Sequence, residues 1–281
     1  MSELSLFQLI LIGLIFIWSG FVRSGLGFGG AVLSLPFLLM VDNRPLVYLP
    51  IIAVHLLVFA SLTVWQNNRQ LRKKTKPAPL TGSGTHDSGQ AGSEDSSHNG
   101  TIAWGYLKYA LMVMIIPKLV GVFGLIVLPN TLMSAIIFTI VGLYSLTYIF
   151  NKPFKSNSRW LDIVFLVLGA YISGTSLIGA PLVIAVFANH IAKHQLRDTL
   201  FALWLILVGI KLAAFIYAGI DLQLIQHLWL LPCAAIGHVL GLRAHQRMLA
   251  AETPVFFRVL GTTLFIISCV GLYQGISQGL G

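Results

Sequence analysis

Arg23-Ser24-Gly25-Leu26-Gly27-Phe28-Gly29-Gly30-Ala31 sits between two apolar runs and carries four glycines beside one bare cation. Glycine has no side chain and reaches backbone angles that other residues avoid. Between runs apolar enough for lipid, such a cluster predicts an unwound backbone, which is tolerated at membrane depth only where protein or water covers it. A second version lies downstream, Ser173-Gly174-Thr175-Ser176-Leu177-Ile178-Gly179-Ala180-Pro181, with Ser-Gly and Gly-Ala at the same spacing. The pair predicts two halves, each delivering one glycine-broken loop to a shared site.

Composition sets the medium. Of 281 residues, 56% are hydrophobic and 10% charged, with mean hydropathy +0.84. Soluble domains carry about 25% charged residues, so this chain lacks the charge to cover a water-facing surface. The net charge of +9 and pI near 9.8 could suit nucleic acid, but basic loops held on the cytoplasmic side explain them better, and no nucleic-acid partner is expected. Cys233 and Cys269 lie in apolar runs and suggest neither a disulfide framework nor a metal set. Met1-Ser2-Glu3 lacks a basic lead-in and a cleavage site, so the first run reads as a retained span.

A span needs about 20 apolar residues. Leu4–Val22 qualifies, Gly30–Val41 is a half-length run containing Pro36, and Pro45–Trp65 is full length. After a basic stretch, 77–100 is rich in Gly, Ser, Thr and Asp and is expected to be a disordered cytoplasmic linker. Thr101–Leu128, interrupted by Pro117-Lys118, and Thr131–Phe150 complete the first half. The order then repeats with Trp160–Ile172, the half-length Pro181–His190, Leu196–Ala218, Leu222–Leu242 and Pro254–Ile276. The expectation is an all-α polytopic membrane protein of about 8–10 segments in two inverted repeats, residues 1–150 and 151–281, with re-entrant helices at the glycine loops.

Spacing supports the duplication. Gly25 and Gly174 are 149 residues apart, whereas Gly142-Leu143-Tyr144 and Gly271-Leu272-Tyr273 are 129 apart. The difference of 20 is nearly the length of the linker, which reads as an insertion into a duplicated unit. With five segments per half, the loops on one face hold thirteen Lys and Arg and those on the other hold only Arg44. The basic face is cytoplasmic, so both termini are expected on the other side. The odd segment count makes the halves antiparallel, and the two glycine loops enter from opposite faces.

Several residues carry chemistry. Arg23 is either a snorkelling interfacial arginine or an anion ligand beside backbone N–H groups, which attract anions at helix starts. Lys118 and Lys211 lie inside apolar runs, where cations usually face a cavity or a partner. Ser24, Ser173, Thr175 and Ser176 can donate hydroxyl hydrogen bonds to a solute or cap the broken helices. Backbone N–H groups of Gly25, Gly27, Gly29, Gly30, Gly174 and Gly179 complete the candidate substrate site. His55 and His238 read as core histidines or as a proton relay. Gly25-x-Gly27-x-x-Gly30 matches a dinucleotide fingerprint but lacks the strand that fingerprint needs. Gly174-x-Ser176 with Gly179 misses a nucleophile elbow by one residue. Asp162, at an interface, is the only acid near a span, so an intramembrane enzyme is the weakest reading. A non-transporting anchor or assembly subunit is the other alternative.

On these motifs the chain resembles the TSUP family, the sulfite exporter TauE/SafE-type membrane transporters. The likeness rests on the first glycine loop running to Pro36, on Gly174-Thr175-Ser176 with Gly179-Ala180-Pro181-Leu182-Val183, on Arg197-Asp198-Thr199-Leu200, and on Gly121/Gly124 and Gly237/Gly241. It spans nearly the whole chain outside 77–100. The resemblance implies an inner-membrane inverted-repeat carrier of small anions, often sulfur-containing, such as sulfite, thiosulfate or sulfonates. Pro50-Ile51-Ile52-Ala53-Val54-His55 and Leu177-Ile178 depart from its usual small or Gly-Pro-rich residues, which leaves the particular anion open. No cofactor is implied; the proton is a candidate coupling ion, and a homodimer a candidate assembly.

Overall fold

The computed structural model describes residues 4–26, 30–74, 102–152, 154–250 and 254–279. The linker 77–100, Gly27 and Gly29 lie outside them. The chain is an all-α polytopic membrane protein. Among the described residues ten helices follow one another: α1 (Leu6–Leu26), α2 (Gly30–Val41), α3 (Pro45–Lys74), α4 (Trp104–Val127), α5 (Asn130–Ile149), α6 (Arg159–Ser176), α7 (Ala180–His190), α8 (Lys193–Tyr217), α9 (Leu224–Ala250) and α10 (Pro254–Gly279). Among the described residues six of these, α1, α3, α4, α5, α8 and α9, are long and apolar enough to cross a bilayer.

Each helix sorts its faces by medium. On α4, Met112, Ile116, Val120, Phe123 and Val127 point outward, as a lipid-facing stripe must. Leu107, Ala110, Met114, Lys118, Gly121 and Leu125 form the inward stripe at helical spacing. Helix ends follow local chemistry. Ser158 caps α6, its Oγ accepting the N–H of Leu161 at 3.3 Å. Both α5 and α8 close with paired C-terminal backbone bonds around a left-handed residue. In α5 that residue is Asn151, with the N–H of Lys152 donated to Thr147 O at 3.0 Å; in α8 it is Gly219, with the N–H of Ile220 donated to Phe215 O at 2.9 Å.

Both glycine-broken segments are hairpins. Gln8, at the start of α1, donates from Nε2 to Val41 O at the end of α2 (3.2 Å), so α2 returns to the side from which α1 came. At the base of the second hairpin His190 Nε2 lies 2.8 Å from Asp162 Oδ2, and Asn189 Nδ2 donates to Ser156 O at 2.7 Å. The helices run further than their apolar runs predict. α1 continues through Arg23 to Leu26, and α6 includes Ser173, Gly174, Thr175 and Ser176 as its last turn.

Several helix pairings recur between the first five helices and the last five. α1 packs on α9 as α6 packs on α4, while α5 pairs with α10 and α3 with α8. The glycines fix the register. A side chain on Gly20 would overlap the backbone of Ala234, and one on Gly237 would overlap Ile17 O. Likewise Gly174 abuts Lys118 O, and Gly121 abuts Tyr171 O. The α1 and α6 members, Ile17 with Tyr171 and Gly20 with Gly174, are both 154 residues apart; Lys118 with Ala234 and Gly121 with Gly237 are both 116 apart. By packing, then, the counterpart of Ser173-Gly174 is Ser19-Gly20. It lies five residues upstream of the Ser24-Gly25 that motif spacing pairs with it. Motif spacing matched the hairpin tips, and packing is governed by the crossing points. Gly13 lies by Trp229 and Gly20 by His238, so α1 and α9 run parallel. Phe138 meets Gly271 and Ser145 meets Gly261, so α5 and α10 run antiparallel.

Candidate functional site

The two hairpin tips meet at one cavity of about 80 Å³. A water fills about 10–15 Å³ on this measure, so the cavity holds several waters or one small solute. Arg23, Ser24, Gly30 and Ala31 line it from the first hairpin, and Ser173, Leu177 and Ala180 from the second. Helices α3, α8 and α9 close the remaining walls with Phe59, Arg197, Trp204 and His238 among others.

Electrostatics here have one sign. The guanidinium of Arg23 lies over the ring of Phe59, 4.2 Å from its centroid, and its Nε and Nη2 are buried with no hydrogen-bond partner. A buried donor without a partner costs about 1–3 kcal/mol, more when charged. Arg197 adds a second guanidinium, 5.6 Å from the ring centroid of Phe201. The first residues of α2 and α7, Gly30 and Ala180, present helix N-termini, whose free N–H groups and dipoles favour negative charge. Among the described residues the ion pairs are Arg44–Asp42 and His190–Asp162, so no carboxylate neutralises Arg23. Ser24 Oγ lies 2.5 Å from His238 Nδ1, which joins that histidine to the site.

The other predicted residues go elsewhere. Lys118 donates from Nζ to Ser173 O (2.9 Å) and Ser173 Oγ (2.8 Å), and Lys211 to Gly174 O (2.7 Å) and Thr175 O (3.2 Å). Both side chains are fully buried, and neither lines the cavity. The cause is the end of α6: the last carbonyls of a helix lack intrahelical partners and carry its negative dipole end. Lys211 satisfies the carbonyls of Gly174 and Thr175, while Ser173 O already accepts the N–H of Leu177 at 3.2 Å and takes Lys118 as a second donor. The second loop was expected to offer N–H donors through Ser173 to Ser176, but that stretch is a helix C-terminus and offers carbonyls. Thr175 and Ser176 hydroxyls are spent on Ile172 O at 3.0 and 2.9 Å. Gly174 and Gly179 are packing glycines, against α4 and against Gly169 O respectively. The donors come instead from the start of α7.

Leu177 closes α6 in the left-handed region at φ 62°, a conformation that costs a non-glycine residue about 1–2 kcal/mol. His55 is outside the cavity, between Phe16 and Phe59, with both ring nitrogens unpartnered. His227, which the sequence did not single out, lies 5.2 Å from it, ring to ring. Arg197, Phe59 and Trp204 were missed as site residues. Arg197 was counted as a cytoplasmic loop charge, and its place in Arg197-Asp198-Thr199-Leu200 was the available signal. No family model, no curated protein and no solved structure matches the chain.

Proposed function

We propose that the protein is a secondary carrier for a small anion, with the solute held between the two hairpin tips. The observation that carries this reading is the guanidinium of Arg23: a half-buried cation whose Nε and Nη2 are buried and idle, in a cavity that two helix N-termini also face. A charge so placed is costly until an anion supplies the missing partner. A membrane anchor has no use for such a site. The hydroxyl of Ser24 and the ring of His238 add polar contacts, and Arg197 draws anions toward the cavity.

In this reading residues 1–150 and 151–281 are inverted repeats, and alternating access is a rocking of one against the other about the tips. The matched glycine crossings, with parallel α1–α9 and antiparallel α5–α10, support it. The resemblance to TSUP transporters supplies the substrate class: sulfite, thiosulfate, sulfonates or related organic anions, exported across an inner membrane. The proton is the proposed coupling ion, entering through the imidazoles of His238 and His55.

Uptake into proteoliposomes of labelled sulfite, sulfonates and carboxylates, with and without a pH gradient, tests the function. Arg23→Ala removes the unpaired charge. Loss of one partner of a buried charge pair costs about 2–5 kcal/mol, so solute affinity should fall about 30-fold or more, with the folded protein retained. Wild-type flux in that variant would remove Arg23 from the site.

A further inference from the structure

A second cavity, of about 430 Å³, lies away from the hairpin tips, between the end of α5, the 151–158 loop and the outer face of α7. It lies between α5 and α7, a pair in at most slight contact among the described residues, whereas α2 packs on α10.

Its polarity is graded along α7. Pro181, Ile184 and Ala185 make an apolar floor, while Asn151, Lys155 and Asn189 ring the end where α7 finishes. That end is the base of the second hairpin, in the loop that also carries Lys152 and Arg159. Trp160 and Phe150, 78% and 65% exposed, stand at the same level, as aromatic side chains do at a bilayer interface. From Pro181 to Asn189 the groove follows about 12 Å of helix at 1.5 Å per residue. A solute vestibule would be polar along its length. An apolar trench with an ammonium at its interfacial end has instead the polarity of one lipid molecule.

We infer that this groove binds one anionic phospholipid, its acyl chain along α7 and its phosphate at Lys155. Basic pockets between membrane helices on the cytoplasmic side recognise such headgroups. Because the first residue of α7 also lines the solute cavity, the lipid braces that hairpin from behind. The inference does not rest on the transport reading, since lipid binding is measured without flux.

Native mass spectrometry of the purified full chain, with phosphatidylglycerol and phosphatidylcholine added in equal amounts, tests it. The wild type should retain one phosphatidylglycerol about fivefold over phosphatidylcholine, the share of one basic side chain in anionic-lipid attraction. Lys155→Gln, at an exposed position, should bring the ratio to about one. Ala185→Trp fills the floor and should remove bound lipid of both kinds. Equal retention of the two lipids by the wild type overturns the inference, as does unchanged preference in Lys155→Gln or unchanged retention in Ala185→Trp. Displacement of the lipid by millimolar inorganic phosphate would show a soluble-anion site and overturn it too.

Discussion

Replacing Lys211 with methionine separates two roles that a buried lysine can have. Methionine keeps the unbranched apolar stem and removes the ammonium. In the wild type that ammonium bonds Gly174 O at 2.7 Å and Thr175 O at 3.2 Å, and among the described residues no backbone N–H reaches either carbonyl. A hydrogen bond to a charged group is worth about 1.5–3 kcal/mol net, so two lost bonds cost about 3–6 kcal/mol. Relief from burying a charge offsets part of this, and about 3 kcal/mol is the expected loss. At roughly 2–4 °C per kcal/mol for a chain of this size, the melting temperature in detergent should fall by about 6–12 °C. Because Lys211 does not line the cavity, solute affinity of the surviving folded fraction should change less than about threefold, well under the tenfold that 1.4 kcal/mol would give. Lys118→Met should cost less, because Ser173 O keeps the N–H of Leu177, and the double variant should cost less than the sum, since both lysines serve adjacent carbonyls of one helix end. An unchanged melting temperature with a tenfold weaker affinity would refute the capping argument and return Lys211 to the substrate.

Other substitutions probe the frame and the tips. Gly237→Ala and Gly121→Ala each drive a methyl into a facing carbonyl, and each should destabilise by about 1–3 kcal/mol; a thermal shift near zero for either would break the register drawn between α1–α9 and α6–α4. Leu177→Gly relieves the left-handed backbone and should raise stability by about 1 kcal/mol, while loosening the tip and lowering flux, both read on one preparation. His55→Phe replaces a buried ring whose two nitrogens have no partner; it should be neutral or stabilising by about 1–3 kcal/mol. If His55 relays protons, the same variant loses pH-gradient-driven flux while keeping flux down a solute gradient.

Much of the fold was legible because lipid imposes long apolar runs, and these survive as helices with ends moved by a few residues. The half-length runs are short helices close to the expected bounds: α2 spans Gly30–Val41, and α7 begins one residue before Pro181. Of the residues singled out, Arg23, Ser24, Gly30 and Ser173 line the cavity, since glycine and bare charge are conspicuous in an apolar chain. Direction was not legible. A run such as Ser173-Gly174-Thr175-Ser176 does not say whether it ends one helix or begins the next, and on that point hangs whether it offers carbonyls or N–H groups. Nor does spacing distinguish a glycine at a helix crossing from one at a hairpin tip, which is why Gly25 rather than Gly20 was matched to Gly174. Arg197 was hidden by the positive-inside argument, which treats every loop cation as a topological marker.

The two hairpins handle the same physical problem in different ways, and the difference bears on function. A helix that stops inside the membrane leaves carbonyls without partners. In the second hairpin Lys211 satisfies two of them and Lys118 adds a donor to Ser173 O, so both charges are engaged in holding α6. In the first, Arg23 has idle donors and rests on an aromatic face, a contact that positions the guanidinium without occupying its N–H groups. One tip is therefore electrostatically complete and the other is not. In the proposed carrier this combination would supply a rigid wall against which an anion is pressed, and a single strong partner that the anion completes on binding and abandons on leaving. If both tips were saturated the cavity would hold nothing. If both were unsaturated, the empty carrier would bury several unpaired charges and would be too unstable to return unloaded.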